Sequence, residues 1–214
     1  MSFDALQSQT IEFLRGAVVF WQGGGGAMVA IAVLALFMFG IGVAAWIRLR
    51  ETGYQSVPEE DWRVWIRHAD SREGPIGELL DFVTESADIG DSALRFAQVR
   101  AIETKPFERD LLLMRICVSV APLVGLLGTV MGMLSTFDAL SSGSGGDKTM
   151  AAIAAGISEA LITTETGLAI ALPGLFFHAL LSRKLQGYKV FLAHLETVCT
   201  QAFYHRDKPV ATAA

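Results

Sequence analysis

The stretch that most constrains this chain is residues 121–173, two long apolar arms joined by a short polar loop at 141–148. The first arm carries Pro122, Gly125, Gly128, Thr129 and Gly132, and the second carries Glu159, Thr163, Thr164, Glu165 and Thr166 ahead of Pro173. Each arm is long enough to cross a bilayer, whose hydrocarbon core of about 30 Å needs roughly 20 helical residues. An ionised carboxylate facing acyl chains is strongly disfavoured, so a glutamate kept at that depth marks the hairpin as a place where ions are handled.

Composition agrees with a membrane protein. Hydrophobic residues make up 52% of the 214, and mean hydropathy is +0.43, high for a soluble chain. A net charge of -5 argues against nucleic acid as a partner. Cys117 and Cys199 provide neither a disulfide framework nor a thiolate metal site. No phosphate-binding glycine loop, zinc spacing or nucleophile elbow occurs, so the expectation is no enzyme, no catalytic residue, no bound metal, and no cofactor beyond a coupling ion, H+ or Na+.

The first residues lack the basic start of a secretory signal. Phe3, Leu6, Thr10, Phe13, Leu14 and Val18 recur at helical spacing, which predicts an amphipathic helix at the membrane surface before the glycines at 23–26. Residues 27–47 contain no charge and form a first crossing, with Trp21 and Trp46 as interfacial anchors. Arg48 and Arg50 follow it, Arg109 and Arg115 precede the second crossing, and Arg183, Lys184 and Lys189 follow the third. Because basic residues collect on the cytoplasmic side, all three clusters place the N-terminus in the periplasm and the C-terminus in the cytoplasm.

The predicted fold is an all-α membrane protein with three transmembrane helices, long cytoplasmic extensions of the second and third, and a small helical cytoplasmic domain. Its segments are a periplasmic interfacial helix at 1–26, crossings at 27–47, 111–140 and 150–183, a cytoplasmic helical region at 48–110, a periplasmic loop at 141–149, and a cytoplasmic C-terminal helix and tail at 184–214. Within 48–110, Pro58 before Glu59, Glu60 and Asp61 reads as a helix start, with Trp62, Trp65 and Ile66 on its apolar face. Ile76, Leu79, Leu80 and Val83 predict a second helix, and Asp91 caps a third that runs through Phe96 to Ile102.

Counting outward from the loop puts Thr129, Glu159 and Thr164 in one layer, within about one helical turn. Glu159, Thr163 and Thr166 share a helix face by the i, i+4, i+7 rule, with Thr164 and Glu165 widening it. Such a sector can carry a proton along water or partly dehydrate a sodium ion. A second reading stays open for each threonine, whose hydroxyl can bond back to its own helix. Glu165 faces a wet vestibule or stays protonated. Gly125, Gly128 and Gly132, with the small residues at 151–156, supply surfaces for close helix packing, and Pro122 and Pro173 are kink or packing positions. One hairpin cannot enclose a hydrated path, which implies a ring of copies.

At these residues the chain resembles the MotA/TolQ/ExbB proton channel family, its ExbB branch most closely. The resemblance rests on 121–133 with Phe137, on Gly156, Ser158, Glu159 and Leu161, and on Thr164, Gly167, Leu168 and Pro173. It implies an energiser subunit of the bacterial inner membrane, forming a homo-oligomer, a pentamer, around a pore that holds two copies of an ExbD-like single-span partner. That assembly uses the ion motive force to do work on a TonB-like protein for outer-membrane transport, within membrane lipid and without nucleic acid. By position, Thr129 and Thr164 correspond to the family's pore threonines and Glu159 to its pore-side glutamate, while Glu165 departs from the common pattern. A TolQ-like subunit of the Tol-Pal system and a non-conducting membrane scaffold are the alternatives.

Overall fold

The computed structural model describes residues 23–54, 57–84, 89–142 and 146–207. Among them are five α-helices and a single 3-10 turn, with no strand. They are α1 (Gly25–Glu51), α2 (Glu59–Arg67), the 3-10 turn Ala69–Ser71, α3 (Gly74–Thr84), α4 (Ile89–Ser142) and α5 (Asp147–Asp207). Three of them, α1, α4 and α5, are long and apolar enough to cross a membrane, as the sequence predicts. The expected surface helix, Trp21 and the end of the tail fall outside the described residues.

The cytoplasmic extensions expected for the second and third crossings have their counterpart in the lengths of α4 and α5, which hold 54 and 61 residues. At about 1.5 Å per residue each is well over twice the thickness of a hydrocarbon core. One expectation is corrected. The stretch from Asp91 to Ile102 is not a separate helix but the first part of α4, which continues through Pro106. Pro106 withholds one backbone donor. Around it Thr104, Phe107 and Asp110 are all buried, so packing on this side carries the helix across. α4 likewise continues through Pro122, and α5 through Pro173.

The chain divides into two compact units. One comprises Met1–Gly40 with Leu113–Phe176, the other Ile41–Leu112 with Phe177–Ala214. In the first unit the helices meet through small residues, as described below. In the second unit the cores are conventional. Trp62 of α2, Ile76, Leu80 and Val83 of α3, Phe96 of α4, and Leu195 and Cys199 of α5 form one buried cluster. A second gathers Ala45, Leu49, Phe107, Leu185, Tyr188 and Leu192. Each large apolar side chain so buried contributes about 1.5–3 kcal/mol relative to exposure, which explains why α2 and α3, each short, hold their positions against longer helices.

Charge pairs fix the same unit from outside the cores. Asp110 of α4, with its side chain 8% exposed, accepts from Arg48 of α1. Glu196 of α5 accepts from Arg100 of α4, and Lys189 of α5 donates to Glu108 of α4 at 2.5 Å. Arg72 ties α2 to α3, donating to the Trp65 carbonyl at 2.8 Å and to Asp81 at 2.6 Å.

Candidate functional site

In the first unit α4 and α5 run against each other along a seam of glycines. A methyl group placed on Gly125 would sit 2.9 Å from the Thr163 carbonyl oxygen and 3.1 Å from the α-carbon of Thr164. One on Gly132 would sit 2.6 Å from the Gly156 carbonyl, and one on Gly167 would sit 2.8 Å from the Ala121 carbonyl. Backbones approach this closely only where no side chain intervenes, which is the use of small residues between helices in lipid. Gly174 serves α1 in the same way, since a methyl group there would meet Met38 Cε at 2.6 Å and Val118 Cγ2 at 3.1 Å.

The seam fixes the register of the polar side chains. Gly128 packs on Thr163, and Gly132 packs on Gly156 and Ala160. Thr129 therefore lies at the level of α5 residues 160–163, within about one turn of Glu159 and Thr164.

The side chains in that layer do different things. Thr163 is fully buried, and its hydroxyl donates to the carbonyls of Glu159 (3.1 Å) and Ala160 (3.0 Å) on its own helix. Thr164 is half-buried and donates across to the Gly125 carbonyl of α4 at 3.1 Å. Thr166 bonds back to Ile162 at 2.7 Å, and Thr129, half-buried, bonds back to Leu126 at 2.7 Å. Glu159 is half-buried and points at α1, where its carboxylate lies against Gly25. Glu165 is exposed, between Leu161 and Leu168 at helical spacing, 66% and 50% exposed. The structure thus brings Thr129, Glu159, Thr163 and Thr164 to one depth. It aims Glu159 and Thr163 at different neighbours, and none of the four bonds to another through its side chain except by the Thr163 back-bond to the Glu159 carbonyl.

The chemistry available here is that of oxygen atoms at one level of the helices: two carboxylates, one seated against α1 and one open, among hydroxyls whose protons are already directed to carbonyls. A hydroxyl that donates to a carbonyl keeps its lone pairs free to accept from water or to face a cation.

Sequence comparison bears on what that arrangement serves. The profile of the MotA/TolQ/ExbB proton channel family matches residues 86–191. An ExbB-like biopolymer transport protein of Helicobacter pylori is 38% identical over 131 residues, covering 54% of this chain and 68% of that protein. The chain belongs to the MotA/TolQ/ExbB proton channel family. Two further family members are similar over shorter shares. The biopolymer transport protein ExbB of Xanthomonas campestris is 34% identical over 109 residues, 51% of this chain and 41% of its own. The Tol-Pal system protein TolQ of Haemophilus influenzae is 35% identical over 116 residues, 52% of this chain and 49% of its own. The chain spans less than half the length of these two relatives.

The family profile takes in every polar residue of the layer and both sides of the α4–α5 seam, but stops short of α1. Gly25 therefore lies outside it, and nothing in the sequence pattern of the 23–26 glycines singles out the one that meets Glu159. Gly174 had a signal available, since it stands seven residues after Gly167 and so on the same helix face.

Proposed function

We propose that this family member is an ExbB-type energiser subunit of the bacterial inner membrane. Five copies surround an axial passage holding two transmembrane helices of an ExbD-like partner, and ion flow through it does work on a TonB-like protein. The N-terminus lies in the periplasm and the C-terminus in the cytoplasm, a reading supported by the basic residues Arg48 and Arg50 after α1, Arg109 and Arg115 in α4, and Arg183, Lys184 and Lys189 in α5.

Family membership supports the ExbB-type part of this reading; the observation that carries the hydrated passage between copies is Glu165, an exposed carboxylate flanked by exposed Leu161 and Leu168 on one face of a membrane-spanning helix. Against acyl chains that face would cost several kcal/mol for the charge alone. Turned toward other copies and a hydrated passage, the same face buries its leucines between helices and leaves Glu165 in water. In this reading Thr129, Glu159, Thr164 and Glu165 carry or border the ion path. Thr163 and Thr166, bonded to their own helix, form its backing wall.

The test is ion flux in proteoliposomes containing the chain and an ExbD-like partner. Glu165→Gln and Glu159→Gln should each abolish partner-dependent acidification while the oligomer stays assembled. Unchanged flux in both variants would favour the scaffold reading and sink this one. The similarity to the Haemophilus influenzae TolQ protein supports a second reading, a Tol-Pal subunit. Co-purification separates the two, according to whether the chain brings down TonB-type or TolA-type partners. Replacing H+ gradients with Na+ gradients identifies the coupling ion.

A further inference from the structure

The second unit holds a cavity of about 360 Å3 that no part of the ion path uses. It opens between α3, α4 and α5, walled by Leu79, Phe82, Ile102 and Phe191, with Glu78, Glu103 and the Tyr188 hydroxyl supplying polar atoms. Its volume is at the lower end of the range for small-molecule sites, enough for a ring system or a short chain.

Two features say what chemistry would fill it. The first is apolar surface that the chain itself leaves uncovered: Ile102 is 70% exposed and Phe82 44%. An apolar occupant would cover both, at a gain proportional to the area removed from water. The second is unbalanced charge. Seven basic side chains of this unit are matched to carboxylates elsewhere: Arg48 and Arg109 to Asp110, Arg63 to Glu59, Arg72 to Asp81, Arg95 to Asp91, Arg100 to Glu196 and Lys189 to Glu108. Glu78 and Glu103 have no basic partner among the described residues.

Among the described residues the Glu103 carboxylate accepts one hydrogen bond, a long one of 3.5 Å from the Tyr188 hydroxyl. Tyr188 is 4% exposed. Burial, then the charge of Glu103, push its phenol well above the ordinary range, so it remains a neutral donor. One hydroxyl at that distance leaves most of the acceptor capacity of the Glu103 carboxylate unused.

We infer that this cavity is a binding site for a small organic cation, an apolar ring or chain ending in an ammonium or guanidinium group. The apolar part lies against Phe82, Ile102 and Phe191, and the cationic end meets Glu103 and Glu78. A charge-assisted hydrogen bond to Glu103 is roughly twice as strong as a neutral one, and it sets the preference for a cation over an apolar molecule of the same shape. The inference is independent of the ion path, since every residue it uses lies in the second unit.

The probe is 1-naphthylmethylammonium, with 1-naphthalenemethanol and 1-naphthoate as neutral and anionic counterparts of nearly the same shape. The full chain carrying Ile102→Cys is placed in lipid nanodiscs, and reaction of that cysteine with a water-soluble maleimide is followed by mass spectrometry. The cation should slow the reaction about tenfold at a concentration where the alcohol and the acid have little effect. Glu103→Gln, added to the cysteine variant, should remove that protection, and Glu103→Asp should keep part of it. The buried Cys199 thiol reports the fold in the same spectra, since it stays unmodified while its cluster is intact. Equal protection by the alcohol, protection that survives Glu103→Gln, or no protection by the cation would each overturn the inference.

Discussion

The Glu159 carboxylate on α5 occupies the space in which a side chain on Gly25 of α1 would begin. Gly25 also has a φ of +58°, in the left-handed region that side chains avoid. Both facts require glycine. Gly25→Ala should lose about 1–2 kcal/mol from backbone strain and more from the displaced carboxylate. Thermal unfolding in one detergent measures the loss, and combining Gly25→Ala with Glu159→Ala isolates the contact. The two changes should couple by about 0.5–3 kcal/mol; simple additivity would show that the carboxylate does not rest there. If Glu159 borders the ion path, Gly25→Ala also lowers flux.

The glycine seam gives a second prediction with its own control. A side chain on Gly132 runs into the Gly156 carbonyl and the Ala160 methyl, at 2.6 Å and 2.9 Å, a backbone oxygen and a β-carbon rather than the far end of a flexible side chain. Gly132→Val should therefore cost about 1–3 kcal/mol through overpacking, seen as a lowered unfolding midpoint. Gly40, inside α1, has nothing within 4 Å of its missing methyl. Gly40→Ala should instead raise the midpoint, since alanine in a helix interior is favoured by roughly 0.5–1 kcal/mol. Equal destabilisation by both would remove the seam as the reason for these glycines.

Thr163 and Thr164 are adjacent, yet their hydroxyls should not matter equally. Thr163 bonds only within α5, whereas Thr164 bonds the Gly125 carbonyl of α4. Thr164→Val removes an interhelical hydrogen bond, worth about 0.6 kcal/mol on average between membrane helices. Thr163→Val keeps the shape that packs on Gly128 and loses only a back-bond. Midpoints compared in the same detergent should fall for Thr164→Val and hardly move for Thr163→Val. The reverse order would contradict these partners.

The three crossings, the two short helices and the matched depth of Thr129, Glu159 and Thr164 were legible because each follows from a period or a count. Apolar runs of about 20 residues need no knowledge of neighbours, and counting back from a loop gives depth directly. Direction was harder to read. The i, i+4, i+7 rule puts Glu159 and Thr163 on one face, but that face is broad enough for Glu159 to meet α1 while Thr163 meets α4. Which neighbour stands where is set by the glycine seam and by Met38 against Gly174, contacts between distant residues that no local pattern encodes. The continuity of α4 past Pro106 was hidden for a related reason. Proline is a local signal against helix, and the burial of Thr104, Phe107 and Asp110 that outweighs it is tertiary.

Cys199 provides a chemical test of the second unit. It is completely buried in the cluster with Trp62 and Leu195. Burial pushes its thiol up to about 12, with the Arg72 guanidinium opposing only weakly. At pH 8 the thiolate fraction is then on the order of one in ten thousand, and the thiolate is the reactive form. Because the folded value exceeds the ordinary 9.0, the stability linked to this group is present below that pH and is lost as pH rises toward the folded value. Iodoacetamide at pH 8 should leave Cys199 unmodified in the folded protein and alkylate it once sodium dodecyl sulfate unfolds the chain, with peptide mass spectrometry separating it from Cys117. Trp62→Ala, which removes a large neighbour at a cost of about 3–5 kcal/mol, should make Cys199 react before the rest of the protein unfolds. Rapid alkylation of the unaltered folded chain would mean that α2 and α3 do not close over this part of α5.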